Sequence, residues 1–193
     1  MTKSPEITRC GWTANDALMN DYHDNEWGVP VHDDRKHFEF LVLDAFQAGL
    51  SWKTILYRRE GFRKAFANFD PMKVAKFTET DIECLMQDTA IIRNRTKITG
   101  CVKNAKAFIA IQKEFGSFDN YIWQFKAKGK PTLRIVKQDI PVTSAESDNM
   151  SIDLKKRGFT FVGSTICYAY MQAAGMVNDH ITECFRHPIV SAL

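Results

Sequence analysis

Residues 41–52, with the sequence LVLDAFQAGLSW, constrain the fold more than any other stretch of the chain. The apolar spacing across residues 37–48 predicts an α-helix. Asp44 lies within this helix among apolar neighbours, where a carboxylate is costly unless a charged or hydrogen-bonding group meets it. Because function is a common reason for such a placement, Asp44 is a candidate site residue.

The same stretch predicts a tight turn between two helices. Gly49 is typical of the residue that ends a helix, and Ser51 is a good N-cap for a second helix that starts at Trp52. Leu50 is then left at the tip of the turn. In this arrangement Leu50 could act as a wedge, the Asp44 carboxylate could hydrogen-bond to a bound group, and the Trp52 indole could stack on it. Alternatively, Asp44 faces solvent while Leu50 and Trp52 are packing residues.

Composition predicts one compact unit. The 193 residues are 45% hydrophobic, which is enough to bury a core without disulfides. The odd number of cysteines, together with the lack of a leader or a long apolar run, favours the cytoplasm and argues against a membrane span. The cysteines at positions 84, 101 and 167 are expected to be small buried hydrophobic residues. A net charge of +3 permits a polyanionic partner but does not require one.

Helical periodicity without long β-alternation predicts an all-α fold of roughly ten short helices. Thr80 and Glu83 have the spacing of a capping box, and Ser147 is predicted to cap a later helix. A polar tail at residues 1–8 and a basic connector at residues 126–141 are expected to lie outside helices. The predicted helical segments are residues 16–22, 37–48, 52–66, two short helices from Asp70, 80–86, 92–115, 116–125, 147–157 and 165–174.

A basic cluster surrounds the predicted start of the helix at residues 92–115. A helix N-terminus favours anions because its first N–H groups have no partner within the helix. The cluster therefore predicts a phosphate-binding surface, and its alternative is an ordinary solvated helix face. The cluster consists of Arg93, Arg95, Lys97, Lys103 and Lys106.

His180 and Cys184 are four residues apart, which on one helix would place both side chains on the same face. An imidazole and a thiolate at that spacing can share a zinc ion. Cys10 and His23 are the expected remaining ligands, and His187 is a rival for one position. Four protein ligands leave no open position, so the predicted zinc is structural and ties the two ends of the chain together. The alternative is a pair of ordinary buried residues.

Four aromatic residues accompany these candidates, namely Trp12, Tyr22, Trp27 and Trp52. Residues 22–30 lack helix or strand periodicity, so a loop ordered by its side chains is expected there. The aromatic set, with Asp44, suits a pocket that stacks a flat, electron-poor ring and reads its edge. The alternative is that each aromatic side chain belongs to the core.

Several short segments between Cys10 and Cys184 together carry a family resemblance. They are residues 10–12 (CGW), 22–30 (YHDNEWGVP), 47–52 (QAGLSW), 91–93 (IIR), 155–159 (KKRGF), 163–168 (GSTICY) and 178–180 (NDH). Together they resemble the type I 3-methyladenine DNA glycosylases. The resemblance implies a helix-hairpin-helix glycosylase fold, a structural zinc, and excision of 3-methyladenine from alkylated double-stranded DNA with the free base as product.

The resemblance also implies a role for each matching residue. The metal ligands are Cys10, His23, His180 and Cys184. The base-binding residues are Tyr22 at the base edge and Trp52 as the stacking wall, with Trp12, Trp27 and Gln47. The DNA-binding residues are the wedge Gly49 and Leu50, with Arg93, Arg95, Lys97, Gly163, Ser164 and Thr165. The hairpin at residues 88–95 would hold the DNA backbone.

The resemblance further predicts how the chain is organised. One glycosylase unit, residues 1–193, would comprise a helix-hairpin-helix lobe at residues 34–115. A zinc-stapled lobe would combine residues 1–33 with residues 116–193. A cytoplasmic monomer without membrane contact is expected.

This chain departs from the family pattern at two positions. Asp44 stands where the family has glutamate, and Met19 stands where it usually has tyrosine. Aspartate is one methylene shorter, a retreat of about 1.5 Å. We expect Asp44 to be ionised and to favour a cationic base. The rival interpretations are a non-catalytic binder of alkylated DNA and, less well supported, a zinc hydrolase.

Overall fold

Eleven α-helices make up most of residues 7–128 and 133–193, the part of the chain that this computed structural model describes. No strand occurs among those residues, and one isolated parallel bridge joins Arg134 to Ile181. The predicted all-α class is confirmed. The helices are α1 (Ala17–Asn25), α2 (Asp34–Gln47), α3 (Trp52–Leu56), α4 (Arg59–Ala65), α5 (Pro71–Val74), α6 (Glu79–Gln87), α7 (Arg95–Phe115), α8 (Phe118–Ile122), α9 (Ala145–Lys156), α10 (Ser164–Ala173) and α11 (Arg186–Ser191).

Side-chain caps set several helix starts away from the predicted positions. The capping box of α6 pairs Thr78 with Asp81, two residues before the predicted one. Asn94 caps α7 by accepting from the Lys97 N–H, so α7 begins three residues after the predicted start. Ser144, not Ser147, caps α9. Each cap satisfies an N–H that has no partner inside its helix.

Other boundaries also differ from the predictions. The predicted helix at residues 52–66 is divided into α3 and α4, with Tyr57 and Arg58 between them. The predicted helix at residues 116–125 is α8 followed by a 3-10 turn, Trp123–Phe125. Helix α1 extends to Asn25, so Tyr22 and His23 are helical and do not belong to a loop.

Helix α2 lies at the centre of the core. Its residues from His37 to Phe46 are all buried. Helices α3, α4, α7, α8 and α10 contact it. A helix that is covered on every side is expected in the middle of a domain. Asp44 therefore lies in the buried part of α2.

Two of the three cysteines that were expected to be buried lie in the core. Cys101 and Cys167 are buried as predicted, but Cys84 on α6 is exposed because it lies on the outer face of that helix. None of the described helices is long and apolar enough to cross a lipid bilayer. Residues 1–6 of the predicted tail and residues 129–132 of the predicted connector lie outside the described residues.

Candidate functional site

A cavity of about 580 Å³ opens at the ends of α1, α2 and α3 and along one side of α10. This volume lies within the range of small-molecule sites in proteins, about 300–1,000 Å³. All six residues predicted to read or hold a base line it. They are Trp12, Tyr22, Trp27, Asp44, Gln47 and Trp52.

The aromatic rings of the cavity form a connected wall. The ring centroids of Tyr22 and Trp52 are 5.1 Å apart, and those of Trp12 and Trp27 are also 5.1 Å apart. Trp12 meets Tyr22 edge-on at 6.4 Å. The described residues provide no hydrogen-bond partner for the buried indole nitrogens of Trp12 and Trp52. Two N–H donors and several ring faces are thus available to a bound group.

Asp44 is 2% exposed and lies in the last turn of α2. No described residue hydrogen-bonds to its buried Oδ2 atom. Burial raises the pKa of Asp44 well above the usual value for a carboxyl. Burial therefore opposes the expected ionised form of Asp44, because no described residue supplies a cation or donor that compensates the loss of hydration. Burial, and then the charge of Asp44, raise the pKa of Tyr22.

The turn after α2 has the predicted geometry. Gly49 has a φ of +79°, a left-handed conformation that favours glycine. The Leu50 N–H donates to the Gln47 carbonyl at 2.7 Å, and the Leu50 side chain is 41% exposed. Ser51 caps α3 by accepting from the Thr54 N–H at 3.1 Å. Leu50 is thus an apolar tip held by a tight turn.

Lys97 does not lie on a solvent-facing cationic surface. It is 8% exposed, and its ammonium donates to the carbonyls of Phe46 at 2.9 Å and Ala48 at 2.6 Å. Burial lowers the pKa of Lys97. The prediction of a direct DNA contact by Lys97 is wrong in this conformation, because its hydrogen-bond donors hold the carboxyl end of α2 beneath the turn.

The other predicted backbone contacts lie outside the cavity. Arg93 is exposed, whereas Arg95 forms ion pairs with Glu79 and Glu83 of α6. Lys103 and Lys106, further along α7, are exposed.

The start of α10 also lies apart from the cavity lining. Gly163 precedes α10 as its N-cap residue, and Thr165 is exposed. The Ser164 hydroxyl bonds to the hydroxyl of Ser147 at 2.9 Å and donates to Asp148. Ser164 is therefore committed to contacts with α9 in this conformation.

Cys10, His23, His180 and Cys184 form a buried cluster whose ligand atoms all lie within 4.8 Å of one another. The Cys184 sulfur is 3.5 Å from His23 Nε2 and 3.5 Å from His180 Nδ1, and the Cys10 sulfur is 3.6 Å from His180 Nδ1. A tetrahedral zinc with bonds of about 2.0–2.3 Å separates its ligand atoms by about 3.3–3.8 Å. The cluster can therefore hold a metal ion.

The second nitrogen of each histidine supports the same conclusion. His23 Nδ1 lies 2.7 Å from a carboxylate oxygen of Asp24, and His180 Nε2 lies 3.0 Å from the Trp27 carbonyl. Such partners fix the ring so that the other nitrogen faces a metal. Hydrogen bonding from Cys10 lowers the pKa of the Cys184 thiol, which favours a thiolate ligand.

Two details of the metal prediction are corrected. His180 and Cys184 lie in an irregular turn before α11, not on a helix, yet the turn still brings their ligand atoms together. His187 is not part of the cluster, because it belongs to α11 and follows the turn.

Comparison with known proteins identifies the family to which this site belongs. The profile of the methyladenine glycosylase family matches residues 12–187. The chain belongs to this family. It is 47% identical over 183 residues to DNA-3-methyladenine glycosylase 1 of Escherichia coli strain K12, a match that covers 94% of this chain and 98% of that protein.

Solved structures of the family have the same fold. A crystal structure of 3-methyladenine DNA glycosylase I has a TM-score of 0.90 and 48% identity, and the match covers 94% of this chain and 100% of that one. A tyrosine-to-phenylalanine variant in complex with 3-methyladenine also has a TM-score of 0.90, at 32% identity, with 94% and 98% of the two chains covered.

The glycosylase cavity includes residues that the sequence analysis missed. Gln172 of α10 lines it, as do Lys137 and Ile140 of the connector. Asp16 and Lys53 lie in the lining and are paired at 2.7 Å. Gln172 shares a helix face with Ala169 and Ala173. In the sequence this spacing indicates a helix face with small residues, and it does not by itself predict a pocket. Lys137 carried no signal, because its position depends on a contact between distant parts of the chain.

Proposed function

We propose that this protein is a DNA repair glycosylase that flips 3-methyladenine out of alkylated double-stranded DNA and hydrolyses its N-glycosidic bond. The products are the free base and an abasic site. The observation that carries the proposal is Asp44, a buried carboxyl group at the end of an aromatic cavity whose Oδ2 atom has no hydrogen-bond partner among the described residues. A buried polar group without a hydrogen bond is rare, and a ligand that supplies one is a physical explanation for it. The family membership and the names of the relatives support the same activity.

The cavity suits a cationic purine. The Trp52 and Tyr22 rings provide stacking surfaces, and a base there would place its polar edge toward Asp44. Methylation at N3 gives the purine a positive charge. A cation beside Asp44 would lower the raised pKa of this carboxyl and so favour its ionised form. Neutral adenine gives no such compensation, and the difference favours the lesion.

The reaction needs little activation from the protein. When the bond between the sugar and the base breaks, the purine takes the electron pair and its positive charge is neutralised. Water adds its oxygen to the sugar carbon, and one proton is released. An enzyme that flips, holds and desolvates such a base already favours the transition state. Asp44, once ionised, would stabilise positive charge close to the breaking bond.

The exposed turn and the basic hairpin have proposed roles in holding DNA. Leu50 would enter the gap left by the flipped nucleotide, which offsets part of an unstacking cost of a few kcal/mol. Arg93 would contact the DNA backbone without reading sequence. For Gly163, Ser164 and Thr165, a contact with the backbone stays a prediction.

The metal is proposed to be zinc with a structural role. Cys10, His23, His180 and Cys184 would hold it, and the Cys₂His₂ donor set with buried, oriented imidazoles is typical of closed zinc sites. Four protein ligands leave no position for substrate. The division into lobes at residues 34–115 and at residues 1–33 plus 116–193, a monomeric state and a cytoplasmic location stay predictions.

Release of free base tests the proposed function. Duplex DNA carrying 3-methyladenine is incubated with less than one equivalent of protein, and the free base is quantified over time. The expected result is several turnovers per molecule, with abasic sites formed in equal number. Tight binding of methylated duplex without turnover would instead support a non-catalytic damage binder.

A further inference from the structure

The connector before α9 forms part of the cavity wall. Lys137 and Ile140 both line the cavity, together with residues of α1, α2, α3 and α10. Lys137 begins a 3-10 turn, Lys137–Asp139, and its side chain is exposed. This part of the connector therefore borders the mouth of the proposed base pocket.

A polar network around the buried Asp179 holds this connector at Arg134. The Arg134 guanidinium donates to Asp179 at 2.8 Å, and Tyr168 donates to the other oxygen of Asp179 at 2.8 Å. Gln172, which lines the cavity, donates to Asp179 at 2.8 Å as well. The Arg134 carbonyl accepts from the Thr182 N–H at 2.7 Å. The connector is thus anchored to α10 and to the segment that carries the metal ligands.

A local turn fixes the part of the connector next to Lys137. The Asp139 carboxylate accepts from the N–H groups of Ile135 at 2.8 Å and Val136 at 3.0 Å. These backbone hydrogen bonds lower the pKa of Asp139, so the carboxylate is ionised near neutral pH. The turn holds Lys137 beside the cavity.

Lys137 differs from the other lysine in the lining. The Lys53 ammonium is 2.7 Å from Asp16. This contact, with hydrogen bonds from the Met19 N–H and the Tyr57 hydroxyl, lowers the pKa of Asp16 to about 2. Among the described residues, no carboxylate pairs with Lys137. Its ammonium is therefore available to an anion at the cavity mouth.

We propose that Lys137 binds a phosphate of the flipped nucleotide and that Ile140 packs against its sugar. The inference rests on the proposed function, because it needs a nucleotide whose base occupies the cavity. A base held beside Asp44 remains attached to a sugar and phosphates that must pass the cavity mouth, where an ammonium binds phosphate by charge and hydrogen bonding. The free base has no phosphate and makes no such contact.

The test compares Lys137→Gln with Lys113→Gln. Lys113 is an exposed lysine in the last turn of α7 that does not line the cavity. Lys137→Gln should lower kcat/KM for base release from methylated duplex about tenfold, the effect of one charge-assisted contact. It should leave the affinity for free 3-methyladenine unchanged within about twofold, because that ligand lacks a phosphate. Lys113→Gln should match the wild type, and Lys137→Arg should restore most of the rate.

Three outcomes would overturn the inference while leaving the proposed function intact. They are a Lys137→Gln variant that matches Lys113→Gln, an equal loss of affinity for intact and methylated duplex, and a loss of affinity for the free base. The second would place Lys137 in a general DNA contact, and the third would place it against the base itself. If the wild type released no base at all, the proposed function would fail first.

Discussion

Asp44 is the residue at which stability and proposed recognition conflict. It lies in the buried part of α2, and its Oδ2 atom lacks a partner among the described residues. A buried unsatisfied polar group costs about 1–3 kcal/mol. A carboxyl that serves only the fold would not be placed there. A carboxyl whose partner is supplied by a ligand can be placed there, although it lowers the stability of the protein without the ligand.

Asp44→Asn should change the pH dependence of unfolding. Burial raises the pKa of Asp44 in the folded state, so above the ordinary carboxyl pKa the folded protein binds more protons than the unfolded chain. Stability from this group is present at acid pH and is lost as pH rises toward the folded pKa. Asp44→Asn should remove that loss, raise the free energy of unfolding at pH 7 by about 1 kcal/mol and slow base release at least tenfold.

Urea unfolding between pH 4 and 8 and a base-release assay measure both effects. Asp81→Asn is the matched control, because a backbone hydrogen bond from Thr78 lowers the pKa of Asp81, and its contribution to stability has the opposite pH dependence. An Asp44→Asn variant with the wild-type pH profile and the wild-type rate would show that stacking on Trp52 alone supplies the selectivity.

Residue types in unusual positions were predictable from sequence, whereas contacts between distant segments were not. Asp44 in an apolar helix and Trp52 at a helix start are local anomalies, and both line the cavity. The sequence places Lys97 in a basic cluster and so predicts a surface cation. Its ammonium instead donates to the Ala48 carbonyl at the end of α2, about fifty residues earlier in the chain. No local pattern encodes that contact. Lys137 was missed for the same reason.

At the scale of elements, the turn after α2 depends on α7. The Lys97 ammonium holds the Phe46 and Ala48 carbonyls, which lie just before Gly49 and Leu50. The last carbonyls of a helix have no partner within it, and a buried lysine satisfies them and opposes the negative end of the helix dipole. The proposed wedge is therefore supported from beneath by the helix that follows the predicted DNA-binding hairpin.

Lys97→Met should lower the free energy of unfolding by about 1–3 kcal/mol, because it leaves two carbonyls without their donor. It should also slow base release from duplex more than it weakens binding of free 3-methyladenine, since the Leu50 tip would lose its support. Urea unfolding and the two binding and release assays measure these effects. Lys103→Met, on the exposed side of α7, is the control. If both variants behave alike, Lys97 does not hold the turn.

Arg93 and Arg95 form a second matched pair at the scale of elements. Arg93→Gln should weaken binding to methylated and intact duplex alike and reduce the salt slope by about 1. Arg95→Gln should have a smaller effect, because Glu79 and Glu83 already pair with Arg95 in the free protein. Binding isotherms at several salt concentrations measure both. A change in the preference for damaged DNA in Arg93→Gln would assign Arg93 to base recognition.

At the scale of the whole molecule, the metal cluster joins the two ends of the described chain. Cys10 immediately precedes a 3-10 turn, Gly11–Thr13, and His23 lies in α1. His180 and Cys184 come from the turn before α11. A metal ion bound there would stabilise the folded state, because the unfolded chain lacks the assembled site. Sequence spacing suggested the ligands, and the resemblance selected among the alternatives. The irregular turn that carries His180 and Cys184 was not predictable, because it depends on contacts with distant residues such as the one between His180 Nε2 and the Trp27 carbonyl.

Cys184→Ser should remove the metal and destabilise the fold without altering the chemistry. Hydroxyl is a poor ligand for zinc, and metal binding contributes to folding because the unfolded chain lacks the assembled site. The wild type should contain one metal ion per chain by elemental analysis and lose stability when a chelator is added. Cys184→Ser should contain less metal, unfold at a lower temperature and respond little to the chelator. Cys84→Ser, at an exposed cysteine, should behave as the wild type.

Below its unfolding transition, Cys184→Ser should still release base, because the four-ligand site has no position for substrate. A wild-type protein that unfolds identically with and without its metal would show that the cluster is packing alone.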